Sequence, residues 1–134
     1  MANLPTDGYD RDDLLTFLTD YGAALGAGDL EAIADRFAFP SLLALPDSSL
    51  VLSDPHTVRD SIRERLARFR DQDLVAAVPQ VIDVAQAGPA FLWAEVRWSY
   101  RDENASEGAA ERVRYLLRRA RETFEICVIL PLPL

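Results

Sequence analysis

The sequence predicts an α+β domain, a curved antiparallel sheet covered by three N-terminal helices. Three observations carry this. The first half of the chain shows apolar residues at helical spacing in three separate stripes. From residue 74 onward the pattern changes to strands. Within that half, Phe91-Leu-Trp-Ala-Glu-Val-Arg-Trp-Ser-Tyr-Arg101 is the longest aromatic and β-branched run, and its two faces differ. Leu92, Ala94, Val96, Trp98 and Tyr100 form an apolar face, whereas Phe91, Trp93, Glu95, Arg97 and Ser99 form a mixed one. A strand with one apolar face buries it under a second layer, and the upstream amphipathic segments supply that layer.

Residues 1–10 contain Pro5 and Gly8 and read as a loose arm. Asp12 or Asp13 is placed to cap a first helix whose stripe is Leu14, Phe17, Leu18, Tyr21 and Leu25. Gly26 and Gly28 stop it. Asp29 caps a shorter helix with Leu30, Ile33, Ala34 and Phe37 on one side, and Pro40 forbids its continuation. Residues 41–45 and 50–52 flank the turn signal Pro46-Asp47-Ser48-Ser49 and predict a small hairpin. Asp54 and Pro55 open a third helix over 56–70, with Val58, Ile62, Leu66 and Phe69 in its apolar stripe. Its arginines Arg59, Arg63, Arg65 and Arg68 read, with Glu64, as a solvated face.

Residues 74–86 predict a strand with Pro79 at a bulge or an edge position, and Gly88-Pro89 turns the chain into the long central strand. Residues 102–108 form a polar hairpin loop. The arginine and leucine content of 111–121 also allows a helix, but alternation favours a strand, with Val113, Tyr115 and Leu117 opposite Arg112, Arg114 and Arg118. Glu122 and Thr123 make a short turn into a last strand over 124–130, apolar on both faces. The Pro131-Leu-Pro-Leu134 tail ends the sheet. Residues 1–134 read as a single domain without repeats or linkers, long enough to bury a core.

Composition narrows the function classes. The chain is 49% hydrophobic with a net charge of −8, which excludes global disorder and disfavours nucleic acid and anionic membranes as partners. All 14 basic residues are arginine. The single cysteine, Cys127, excludes an internal disulfide and lies in an apolar run, as an inert buried thiol does. No apolar run reaches the ~20 residues that span a bilayer, and the polar, acidic N-terminus is unlike a signal peptide, so a soluble cytoplasmic protein is expected. No phosphate loop, nucleophile elbow or metal motif is present, and no cofactor is expected.

The order of elements, together with Gly28-Asp29-Leu30-Glu31-Ala32-Ile33, resembles the NTF2-like superfamily, which includes ketosteroid isomerase, limonene epoxide hydrolase, scytalone dehydratase and SnoaL-like cyclases. The resemblance is concentrated between Tyr21 and Pro46. It implies a cone whose curved sheet and helices enclose a pocket lined by Tyr21, Phe37, Phe39, Trp98, Tyr115 and Phe124. It also implies a homodimer through the outer sheet face, with Phe91, Trp93 and Leu116 at the seam. Tyr21 matches the position of the oxyanion-binding tyrosine of ketosteroid isomerase, whereas the position of its general-base aspartate falls on Leu45, which accepts no proton. The paired histidines of the dehydratase have no match either, since His56 is the sole histidine.

Each candidate has a bland alternative. Tyr21 is either a donor to a ligand carbonyl or a core tyrosine bonded to backbone, and it is the one weak catalytic candidate. Trp98 and Tyr100 stack on a ligand or simply fill the core, and His56 fits a helix start. Asp83 and Glu95 lie in strands, and alternation puts Glu95 on the outer face, in an ion pair with Arg97 or Arg114. Three functions therefore stand: a binding protein for a small, largely apolar molecule held by Tyr21 and Tyr115, a cofactor-independent SnoaL-like isomerase, cyclase or hydrolase, and a dimeric interaction module with a filled core.

Overall fold

The computed structural model of the chain describes residues 8–134, with side chains from residue 11. In chain order the elements are α1 (Gly8–Ala27), α2 (Leu30–Ala34), β1 (Phe37–Ala44), β2 (Ser49–Leu52), α3 (Pro55–Asp71), β3 (Ala76–Gly88), β4 (Phe91–Arg101), β5 (Glu107–Ala120) and β6 (Thr123–Leu132). The six strands form one curved, unclosed sheet in the order β2-β1-β6-β5-β4-β3, and the helices lie on its concave face. The expected α+β cone is therefore present.

Helix α1 begins at Gly8, so residues 8–10 belong to it rather than to a loose arm, and neither Asp12 nor Asp13 is its cap. Residues 1–7 of that arm lie outside the described residues. Its buried side chains are Leu14, Phe17, Leu18, Tyr21, Ala24 and Leu25. Each large one contributes about 1.5–3 kcal/mol by burial, more than the ~1 kcal/mol that each internal glycine costs a helix. Those glycines are needed for contact. A Cβ on Gly22 would lie 2.6 Å from the Ala77 carbonyl oxygen and 2.9 Å from the Trp98 ring, and one on Gly26 would lie 2.9 Å from the Val75 carbonyl oxygen. Gly26 is thus not a helix stop.

The stop is Gly28, at φ 67°. Its N–H donates to Leu25 O (3.2 Å) and that of Asp29 to Ala24 O (3.0 Å), the paired bonds of a left-handed helix end. Asp29 at once caps α2 by accepting from Ala32 N–H at 3.1 Å. Asp54 caps α3 in the same way, from Thr57 N–H at 2.9 Å, with Pro55 in the first turn. Val58, Ile62 and Leu66 face the core.

The expected meander of four antiparallel strands is β3 to β6, with every residue of 111–120 extended. The hairpin does not stand apart from it. β1 pairs parallel with β6 (Phe37 opposite Ile126, Leu43 opposite Ile129), so the sheet is mixed. A last strand apolar on both faces suits this position between two neighbours. Pro79 sits on β3, which is an edge strand, and the break in the β3–β4 register falls two residues on, between Val81 and Asp83.

The convex face carries Phe91 and the cross-strand row Trp93, Leu116 and Val128. Glu95 lies on this face yet is buried, because Arg112 donates to its Oε2 through Nε (3.0 Å) and Nη2 (2.7 Å) and Arg114 to its Oε1 at 3.1 Å. Those hydrogen bonds hold its carboxyl below the usual range. Arg97 instead grips Glu107 with two bonds of 2.9 Å. Asp83 is exposed opposite Glu95. No helix among the described residues is long and apolar enough to cross a membrane.

The close approach of α1 makes a specific demand. Gly22→Ala should lower folding stability by about 1–3 kcal/mol in urea denaturation, because the clash is with backbone and a fixed indole and outweighs the gain in helix propensity. A variant as stable as the wild type would mean that α1 stands off the sheet.

Candidate functional site

The polar groups inside the cone gather at one cavity of about 60 Å³ between α1, α3 and the concave face of β1, β5 and β6. Its apolar wall includes Phe37, Leu43, Leu52, Val58, Ile62 and Val113. Into it come Tyr21 from α1, Ser61 and Arg65 from α3, and Glu111 and Tyr115 from β5.

Tyr21 is held by packing, with four aromatic neighbours. Its ring meets Trp98 (centroids 5.9 Å apart), Tyr115 (6.2 Å) and Phe37 (6.3 Å) edge-on and stacks with Phe17 at 6.3 Å. Its hydroxyl makes no hydrogen bond to the described residues. Burial pushes it up to about 12, partly opposed by the nearby charge of Arg65, so it is a protonated donor at neutral pH. Trp98 Nε1–H donates to the Tyr115 hydroxyl at 2.8 Å. That fixes Tyr115 as an acceptor there and leaves its own proton for another group. Burial raises Tyr115 as well.

The rim is charged. Arg65 Nη2 lies 3.2 Å from Glu111 Oε1, with the two side chains about a third and a quarter exposed. Tyr100 donates to the same Glu111 oxygen. Its ring stacks on Phe69 (4.1 Å), and the Arg65 guanidinium lies 5.9 Å from the Phe69 ring centre. Burial would lower Arg65, but the charge of Glu111 offsets this and the net direction is upward. Burial, opposed by Arg65 and reinforced by Glu111, raises Tyr100. Arg65 Nε is buried without a partner, and Glu111 Oε2 makes no hydrogen bond to the described residues.

Of the six residues expected to line a pocket, Tyr21, Phe37 and Tyr115 reach this cavity. Trp98 is fully buried behind Tyr115, and Phe124 packs edge-on to Phe17 at 6.1 Å, away from the cavity. Phe39 is 38% exposed on β1. His56 is exposed at the start of α3, 3.1 Å from Asp60. Leu45 is exposed beyond the end of β1. Arg65 and Glu111 carry most of the site's polarity, and the reading of Arg65 as part of a solvated face is corrected here. Arg65 continues the stripe Val58, Ile62 at helical spacing, and Glu111 shares the parity of Val113 and Tyr115. Periodicity alone would have placed both inward. No group of histidine, cysteine, aspartate or glutamate suited to a metal occurs among the described residues. A larger groove of about 370 Å³ runs between α1 and edge strand β3, lined by Arg11, Leu15, Ile82 and Asp83 among others. It is open to solvent and, among the described residues, has no buried polar atom left unpaired, so the cone cavity is the better candidate.

The two inner tyrosines differ in a measurable way. Tyr115→Phe strands the buried Trp98 N–H and should cost about 1–3 kcal/mol of folding stability. Tyr21→Phe removes no protein hydrogen bond and should change stability by less than about 0.5 kcal/mol. Equal losses in a denaturant series would show that Tyr21 bonds within the core.

The comparisons agree with the fold. Aln2 from a Streptomyces species has a TM-score of 0.74 at 14% identity, over 96% of this chain and 93% of that one. An NTF-2 like protein of unknown function from Shewanella oneidensis has a TM-score of 0.66 at 11% identity, over 90% of this chain and 97% of that one. An NTF2-like protein with a cystatin-like fold from Novosphingobium aromaticivorans also reaches 0.66, at 12% identity over 91% and 80%. Identities this low speak to fold alone. No curated protein sequence matches the chain. Residues 12–133 match the model of the family described as NTF2-like protein (DUF6841), and the chain belongs to that family.

Proposed function

We propose that the protein binds a small, largely apolar molecule carrying one hydrogen-bond acceptor in the cone cavity. The observation that carries this reading is the Tyr21 hydroxyl, a donor at the cavity that makes no hydrogen bond to the described residues. A ligand oxygen between Tyr21 and Tyr115 would accept from this hydroxyl in place of solvent. The size of the space limits the ligand. At about 60 Å³ it is well below the roughly 300–1,000 Å³ of drug-sized pockets, so a molecule of a few heavy atoms fits without rearrangement. A fully filled core, as an interaction module would have, is disfavoured by the same space.

The enzymatic reading is favoured by one feature, the Glu111 carboxylate, which lines the same cavity as Tyr21 and Tyr115 and whose Oε2 makes no hydrogen bond to the described residues. Binding is the broader reading and the first to test. Titration of the wild-type protein with propionamide, followed by NMR, should shift resonances of residues around Tyr21 and Tyr115. Tyr21→Phe should then weaken binding by about 1–3 kcal/mol. Unchanged affinity in that variant would remove Tyr21 from the binding site.

We further propose a homodimer through the convex face, supported by Phe91 and the row Trp93, Leu116 and Val128 on a sheet surface that none of the described helices covers. Sedimentation at micromolar concentration should give about twice the 14.9 kDa chain mass, and Trp93→Glu should return it to the monomer value. A wild-type monomer would refute the dimer.

A further inference from the structure

We infer that Glu111 sets the charge specificity of the cone cavity, so that the site takes neutral acyl compounds such as amides and ketones and turns away the matching carboxylates. This rests on the ligand-binding reading and names the ligand class of the same site. Arg65 is permanently charged and by itself would be an anion hold. Its Nη2 is 3.2 Å from Glu111 Oε1 on the facing strand, so the two charges cancel at the rim. Both partners are held in place. Tyr100 donates to the Glu111 oxygen that faces Arg65, and Phe69 lies against both the Tyr100 ring and the guanidinium.

Arg65 Nε also lacks a partner but has almost no accessible surface, so the donors a ligand can reach deep in the cavity are the neutral hydroxyls of Tyr21 and Tyr115. A neutral carbonyl accepts from them without bringing in a charge. A carboxylate in the same place would leave water for a largely apolar space with no free counter-charge, because Arg65 is already neutralised by Glu111. An amide suits the site twice, because its N–H₂ matches the unpartnered Glu111 Oε2 while its oxygen meets the tyrosines.

Propionamide and propionate are nearly the same size and differ in charge. In NMR titrations the wild-type protein should bind propionamide at least about tenfold more tightly than propionate. Glu111→Gln keeps an acceptor for Tyr100 but frees the charge of Arg65, and propionate affinity should rise about tenfold. Adding Arg65→Gln to that variant should abolish the gain. Equal or tighter binding of propionate by the wild type overturns the inference without recourse to any variant, and so does a gain that survives the loss of Arg65. If the wild type prefers propionamide but Glu111→Gln brings no gain, the role of Glu111 falls and the ligand-binding reading stands. If neither compound binds either protein, both readings fall.

Discussion

Helix α1 lies so close to the sheet at Gly22 that no side chain fits between its backbone and the Ala77 carbonyl or the Trp98 ring. That approach brings Tyr21, the preceding residue, into edge contact with Trp98, Tyr115 and Phe37 together. It also leaves Trp98 completely buried, so its indole N–H must find a partner inside the protein, and Tyr115 is that partner. The orientation of Tyr115, the position of Tyr21 and the roof of the cavity thus follow from one backbone-to-ring contact. The second glycine, Gly26, continues the approach where the chain enters β3.

Polarity within the cone is layered. Neutral hydroxyls occupy the floor, where taking a charge out of water would be most expensive, and the two ionised groups that line the cavity meet at its rim as a pair. The same rule orders the convex face. There Glu95 is buried under two arginines, and the arginines keep their outer atoms in water. On the convex face Arg112 accompanies the carboxylate into a half-buried position through two directed bonds of its planar fork, whereas Arg65 at the rim does so through one ion-pair contact.

Much of this is legible in the sequence, for physical reasons that differ by element. The stripe of α1 and the two faces of β4 follow from periods of 3.6 and 2, and burial on one side makes those periods strict. The caps at Asp29 and Asp54 are local chemistry and need no tertiary information. Two things are not local. Gly26 looks like a terminator, but its reason lies far along the chain, at Val75 and Ala76 where β3 begins. The parallel pairing of β1 with β6 leaves no mark in either strand beyond the apolar character of both faces of β6. Arg65 and Glu111 are a different case. Their positions obey the same periods as their apolar neighbours, and residue type argued them outward only because a charge is usually solvated.

The β1–β6 pairing has a consequence for how the chain reaches this state. During synthesis from the N-terminus, β1 and β2 are complete long before their neighbour in the sheet exists, and they remain a two-stranded ribbon of marginal stability. Ile129 and Pro131, which close one side of the cavity, arrive with β6 as well. The cone therefore closes last, by a contact that spans most of the chain, and high contact order of this kind slows folding. Until then the apolar inner edge of β1 has only helices for company, which makes this interval the one in which the chain is most exposed to wrong partners.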